Sequence, residues 1–220
     1  MDKILSIIMP IYNQPILVVK ALNSIPVRDD IEVICIDDCS TDTTYKVLEE
    51  YVKNSNLDII LLRNEVNSGI GFTTNRGIDL ARGKWITDLD DDDYLLTENY
   101  NKLIDMLYTL DDYDWVWVGN RVERNINEIW YGDDRLAMWT YIAKKSFVGN
   151  DRFPLGRFND ADGIYTNNLK MKKPKMYNPK ICAYHYNWPK VGSVSWQAVH
   201  GKVNKDENLH RNNKLLAGWF

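Results

Sequence analysis

Apolar and polar positions along the first 118 residues come in alternating blocks. Residues 5–9 (Leu-Ser-Ile-Ile-Met) are short, apolar and β-branched, which reads as a buried strand. Pro15 opens a helical stretch to about Asn23, the place proline takes in a first helical turn. Residues 32–36 form a second buried strand. Ser40, Thr41 and Asp42 offer N-caps for a helix whose apolar face carries Tyr45, Val47, Leu48 and Tyr51. Residues 57–62 are a third strand. Residues 71–82 read as a helix stopped by Gly83. Residues 85–87 begin a fourth strand that ends in acid. Thr97 caps a helix to about Leu110, and residues 115–118 make a fifth strand.

Strand and helix in strict alternation predict an α/β fold with a mostly parallel sheet and helices on both faces. Ligands of such sheets bind beyond the carboxyl ends of the strands. Polar clusters fall there: Asn13, then Asp37 and Asp38, then residues 67–71, then residues 88–93. The second half is less regular and holds most of the tryptophans. Residues 199–213 are polar and read as a terminal helix or a tail. No repeat or low-complexity linker divides the chain. The expectation is one domain over 1–220, with a ligand-binding half to about 118 and an irregular half from about 119.

Composition narrows the function. The chain has 220 residues, 45% of them hydrophobic, enough for a core without disulfides. The net charge of −4 argues against general nucleic-acid binding. Three cysteines do not form a secreted disulfide framework, so a cytoplasmic setting is expected. The apolar run at residues 4–12 is too short to span a membrane, and no later run is longer. Any membrane association is then peripheral.

The densest chemistry is Asp88-Leu-Asp-Asp-Asp-Asp93, five carboxylates in six residues. Their repulsion is costly unless a cation or hydrogen-bond donors offset it. Hard oxygen ligands suit Mg²⁺ or Mn²⁺ bridging to phosphate. Acidic runs are commonly solvated loops, but this one ends a buried strand at the ligand edge. A calcium loop fits poorly, since its sixth position is Asp93 in place of glycine and its twelfth is Asn99 in place of glutamate. Residues 67–71 lack the Gly-Lys-Ser/Thr of a P-loop. Cys35 and Cys39, with Cys182 and His185, have zinc-like spacing, yet Cys35 reads as a core residue.

With these motifs in order, the chain resembles the inverting family 2 glycosyltransferases of GT-A fold. Residues 6–13 (Ser-Ile-Ile-Met-Pro-Ile-Tyr-Asn) resemble the family's opening strand and turn. Residues 36–42 (Ile-Asp-Asp-Cys-Ser-Thr-Asp) resemble its Asp-Asp-Gly-Ser-Thr-Asp loop. Asn67-Ser-Gly69 with Asn75-Arg-Gly77 resembles its glycine and asparagine segment, and residues 83–93 its strand ending in an Asp-x-Asp metal motif. Residues 138–147, 152–160 and 184–195 resemble the acceptor-side strand, the segment leading to a Glu-Asp pair, and the closing strand. Cys39 stands in place of a glycine, Thr74 in place of a common arginine, and Asn159 in place of the glutamate.

The resemblance implies roles. Pro10, Tyr12, Asn13, Asp37, Asp38, Gly69, Asn75, Arg76, Asp90 and Asp91 would line the donor site. Asp37 and Asp38 would meet base and ribose, which favours a uridine donor, although Asp38 also suits capping the next turn. Asp92 and Asp90 would hold Mn²⁺ or Mg²⁺, with His185 as a further contact or a packing residue. Asp88 would be structural. Asp160 would be the general base, with Asp162 as runner-up. Trp188 would serve as a sugar platform. The basic run Lys170-Met-Lys-Lys-Pro-Lys175 is a solvated loop or a contact for an anionic acceptor. The implied partners are a nucleotide-diphosphate sugar and an acceptor hydroxyl on a glycan, a lipid-linked or wall polymer, or modified DNA. A sugar-phosphate nucleotidyltransferase and a non-catalytic nucleotide-sugar-binding module are the alternatives. Oligomeric state is open from sequence.

Overall fold

A computed structural model describes residues 2–122, 125–130, 140–155 and 161–187. The chain opens with strand β1 (Leu5–Ile11), helix α1 (Leu17–Asn23), β2 (Ile31–Asp37), α2 (Thr44–Asn54), β3 (Ile59–Arg63), α3 (Ile70–Leu80) and β4 (Trp85–Asp88). It continues through β5 (Tyr94–Leu95), α4 (Thr97–Leu107), β6 (Trp115–Trp117), β7 (Gly119–Val122) and β8 (Asn125–Trp130). Then follow β9 (Tyr141–Lys144), α5 (Lys145–Val148), α6 (Ala161–Met171), β10 (Met176–Tyr177) and β11 (Cys182–Tyr186).

Seven strands form one sheet in the order β10-β6-β9-β4-β1-β2-β3. All its pairings are parallel except those of β9, which runs antiparallel to β4 and β6. A second sheet, β5-β11-β7-β8, lies beside it. This is the mixed α/β architecture expected.

The period of two along the central strands sorts side chains into two cores. Ile7, Met9, Ile11, Val33 and Cys35 face one cluster, which α1 and α4 complete with Val18, Leu22, Tyr100, Leu103 and Leu107. Ile8, Ile34, Ile36 and Ile86 face the other, completed by Ile78 of α3 and Tyr165 and Leu169 of α6. Both faces of β1 and β2 are therefore apolar, which is why these strands read as unbroken runs. At Gly77 a Cβ would fall 2.4 Å from Ile8 Cγ2, so glycine lets α3 sit close on the sheet.

Several helix ends differ from expectation. Pro15 lies in the turn before α1, and the first helical bond runs from Val18 N–H to Gln14 O at 3.2 Å. Thr97 is the first residue of α4 and not its cap; its hydroxyl donates to Ser24 O at 2.8 Å. Helix α3 stops at Leu80 because Arg82 is drawn to the buried Glu32, through its backbone N–H at 2.6 Å and its Nε at 2.7 Å. The second half, expected to be irregular, contributes β7 to β11, α5 and α6 among its described residues. Among the described residues no helix is long and apolar enough to cross a membrane.

Candidate active site

The carboxyl ends of β1, β2, β3 and β4 meet at one edge, and the residues singled out by sequence gather there. Asn13 follows β1 at φ 54°. Its N–H donates to Ser40 Oγ at 2.9 Å, and its Oδ1 accepts from Thr41 N–H at 2.9 Å. Asn13 thus ties the first loop to the second. Tyr12 N–H donates to Asp91 Oδ2 at 2.9 Å, tying the first loop to the fourth.

Asp37 ends β2 fully buried. Its Oδ2 accepts from Ser40 N–H at 3.1 Å and faces Arg63 Nε at 3.2 Å. Arg63 is its register partner on β3 and lies over the Tyr45 ring. Asp37 Oδ1 is buried with no hydrogen-bond partner among the described residues.

Asp38 is built differently. Its Oδ1 accepts from Asn64 Nδ2 at 2.7 Å and Ser68 N–H at 2.9 Å, and its Oδ2 from Gly69 N–H at 2.8 Å. These bonds knot residues 64–69 onto the end of β2. Gly69 enters α3 at φ 85°, where a side chain would be strained. Cys39, in the place of a family glycine, keeps the left-handed backbone at φ 60°.

Asn75, expected on the donor, uses both ends of its amide elsewhere. Nδ2 donates to Phe153 O at 3.0 Å, and Oδ1 accepts from Phe153 N–H at 2.8 Å. At Gly71 a Cβ would lie 2.5 Å from Pro154 O. Together they clamp residues 153–154 to α3. Arg76 reaches Asn64 Oδ1 and Arg63 O on the loop that Asp38 ties. Thr74, at the position of the common arginine, is fully buried in α3.

The acidic run sorts itself by position. Asp90, Asp92 and Asp93 bring carboxylate oxygens within 4.8 Å of one another, the one such gathering of His, Cys, Asp or Glu among the described residues. Asp93 was not singled out from sequence. It is buried, accepting from Tyr184 Oη at 2.7 Å and from Asn187 N–H at 2.8 Å. Asp90 N–H points to the same tyrosine oxygen at 3.4 Å. Burial raises the pKa of Asp88, Asp90 and Asp93 well above the usual carboxylate value, and the charges of neighbouring aspartates raise each further. A divalent cation among the three would reverse that repulsion, and oxygen-only ligands fit Mg²⁺ or Mn²⁺. The oxygens of Asp93 that accept hydrogen bonds keep a second lone pair each.

His185 stands apart from this cluster. It is buried, stacked on Tyr94 at 4.2 Å between centroids, and its Nδ1 accepts from Arg121 Nε at 2.9 Å. That arrangement matches the packing reading. Cys35 is buried in β2 among the core side chains, where burial pushes its thiol up to about 12. Asp162 lies in the first turn of α6, close enough for its charge to raise both Asp88 and Asp90. Asp160 and Trp188 lie outside the described residues. Three of the four lysines of the basic run are held locally: Lys170 over Trp117, Lys172 on Asp151 and Phe147 O, Lys175 over Tyr113.

Residues 6–170 match glycosyl transferase family 2. The chain belongs to that family. The chain is similar to the poly(ribitol-phosphate) beta-glucosyltransferase of Bacillus spizizenii, 34% identical over 98 residues. That alignment covers 43% of this chain and 16% of the relative. The GalNAc(5)-diNAcBac-PP-undecaprenol beta-1,3-glucosyltransferase of Campylobacter jejuni is 38% identical over 95 residues, 42% of this chain and 31% of the relative. The chain therefore spans a third or less of the length of either. The fold is similar to that of Staphylococcus aureus TarS residues 1–349, solved with UDP-GlcNAc, at a TM-score of 0.75 and 21% identity. That match covers 87% of this chain and 60% of the other. Family 2 membership and the GT-A fold are thus established. Arg63, Tyr184 and Asn187 join the site although sequence did not flag them. Only Arg63 left a signal, as the charged end of β3 opposite Asp37.

Proposed function

We propose that this chain transfers a sugar from a uridine-diphosphate sugar to an acceptor hydroxyl, with inversion at the anomeric carbon and with a divalent metal ion. The observation that carries the reading is the Asp90–Asp92–Asp93 cluster at the carboxyl edge of a family 2 sheet. Asp37 extends it. A buried, unpartnered Oδ1 is suited to accept the N–H of uracil, while Arg63 and Ser40 hold the other oxygen in place. Asp38 supports the site through the 64–69 loop, with Gly69 leaving room for the nucleotide.

Asp90 and Asp92 would hold Mn²⁺ or Mg²⁺, whose contribution is to neutralise the diphosphate leaving group as a Lewis acid. Asp160 would take the proton from the acceptor hydroxyl as it attacks from the face opposite the diphosphate. The Asn75–Phe153 clamp fixes the start of the segment that leads to Asp160. The named relatives act on poly(ribitol-phosphate) and on an undecaprenol-linked glycan. An acceptor hydroxyl on a polymer or lipid-linked glycan is the corresponding proposal here.

The test is a donor screen. Incubated with Mn²⁺ and single nucleotide sugars, the protein should slowly hydrolyse a UDP-sugar, read as free UDP by mass spectrometry. Hydrolysis confined to donors of another base would overturn the uridine assignment. Turnover of none, with no binding by calorimetry, would overturn the transferase reading.

A further inference from the structure

Asn120 in β7 is fully buried, and neither its Nδ2 nor its Oδ1 meets a hydrogen-bond partner among the described residues. A buried carboxamide with both ends unpaired is costly and uncommon. Strand register locates it. β6 is antiparallel to β9, and β9 to β4, so β6 points the same way as β4. The chain leaving β6 at Trp117 therefore emerges at the edge where Asp88 ends β4. Three residues on, Asn120 pairs with Tyr184 of β11.

Residues in register on adjacent strands project to one face. The next pair demonstrates it here: Arg121 and His185 are in register and share a hydrogen bond, and His185 stacks on its other partner, Tyr94. Asn120 accordingly shares the face of Tyr184. The Tyr184 hydroxyl on that face meets Asp93 Oδ2 and the Asp90 N–H. On the far side of Tyr184, the register partner is the apolar Leu95. A carboxamide there serves no packing need that a leucine would not meet better.

We propose that Asn120 is a sugar-contact residue, its carboxamide hydrogen bonding hydroxyls of the donor pyranose beside the Asp90–Asp92–Asp93 cluster. The proposal rests on the nucleotide-sugar reading above. A sugar hydroxyl both donates and accepts, and a carboxamide offers two donors and an acceptor to match. The amide is enclosed within the fold, so the contact forms as the sugar seats against the edge. It acts on the sugar and not on the nucleotide, which makes it a determinant of sugar choice.

The experiment measures calorimetric affinities of the parent, Asn120→Ala and Asn120→Leu for UDP, UDP-glucose, UDP-N-acetylglucosamine, GDP and GDP-mannose with Mn²⁺. Melting temperatures are taken on the same samples. The readout is the ratio of nucleotide-sugar to nucleotide affinity. The proposal expects nucleotide affinity within about twofold of the parent, a ratio about tenfold lower for the preferred sugar, and no fall in melting temperature, because no protein partner is lost. An unchanged ratio overturns it. A lower melting temperature with an unchanged ratio, or with nucleotide affinity lost as well, also overturns it and assigns Asn120 to a structural, water-bridged role. If the parent binds no nucleotide or nucleotide sugar, the transferase reading fails and this one fails with it. Parent binding with an unmoved ratio in the variants removes Asn120 alone.

Discussion

Asp38→Ala separates a loop knot from a nucleotide contact. The Asp38 carboxylate receives three hydrogen bonds, from Asn64 Nδ2, Ser68 N–H and Gly69 N–H, at 2.7 to 2.9 Å. Asp38 is 5% exposed, and Asn64 is buried too. Removing the carboxylate leaves three donors without their acceptor. Each orphaned donor costs about 1–3 kcal/mol when it stays buried. Ser68 and Gly69 are half-buried and can rehydrate, and Asn64 keeps its bond to Thr73 Oγ1 at 2.9 Å. The sum is then about 3–5 kcal/mol, at the upper end of single-residue effects. In a chain of this size that corresponds to a melting temperature lower by about 6–20 °C. Asp37→Ala should cost less, because one of its oxygens has no partner to lose. Scanning calorimetry of both variants, with UDP titrations at a temperature where both stay folded, checks the reasoning. An Asp38→Ala protein of unchanged melting temperature whose UDP affinity drops more than tenfold would refute it and make Asp38 a nucleotide contact.

Cys39→Gly should raise stability by about 1 kcal/mol, because a side chain at φ 60° carries a left-handed penalty that glycine does not; a lower melting temperature would mean that the Cys39 Sγ contact with Glu65 O outweighs it. The hydrogen-bonded Arg28 guanidinium holds Asp30 at a pKa of about 2, below its ordinary value. That stabilisation is complete above the unfolded pKa of about 4 and lost as pH falls through about 2. Asp30→Asn should therefore lower stability at neutral pH and flatten the acid limb between about 4 and 2; an unaltered limb in urea titrations would contradict the linkage. Asp160→Asn should leave metal-dependent donor binding almost intact while transfer falls ~10²-fold or more, whereas Asp162→Asn should do much less. A collapse in Asp162→Asn alone would move the base two residues along, onto the first turn of α6.

The large sheet was legible because β1, β2 and β4 are buried on both faces and so appear as apolar runs bounded by Gly, Asn and Asp. Four of its loops carry the site, so the site's location was legible as well. The second sheet was not. Its edge strand β5 has two residues, and β11 finds partners about 90 and 65 residues earlier, at Tyr94–Leu95 and Asn120–Val122. No local period records such pairings. Individual side-chain contacts were hidden for the same reason. Nothing near Asn75 announces that its amide holds Phe153, and nothing near Asp38 announces Asn64, Ser68 and Gly69. Within the acidic run, five carboxylates look alike until Tyr184 and Asn187 come from across the fold to select Asp93.

The most direct measurement of the central claim is the melting temperature with UDP, with Mn²⁺ and with both, in the parent and in Asp92→Ala. If the acidic cluster holds the ion that the diphosphate binds, the two ligands are coupled and each strengthens the other. The parent shift with both should then exceed the sum of the separate shifts, as mass action on the folded state requires. Asp92→Ala should lose that excess, because Asp92 supplies one of the three carboxylates of the cluster. Additive shifts in the parent, or full coupling retained in Asp92→Ala, would contradict the account.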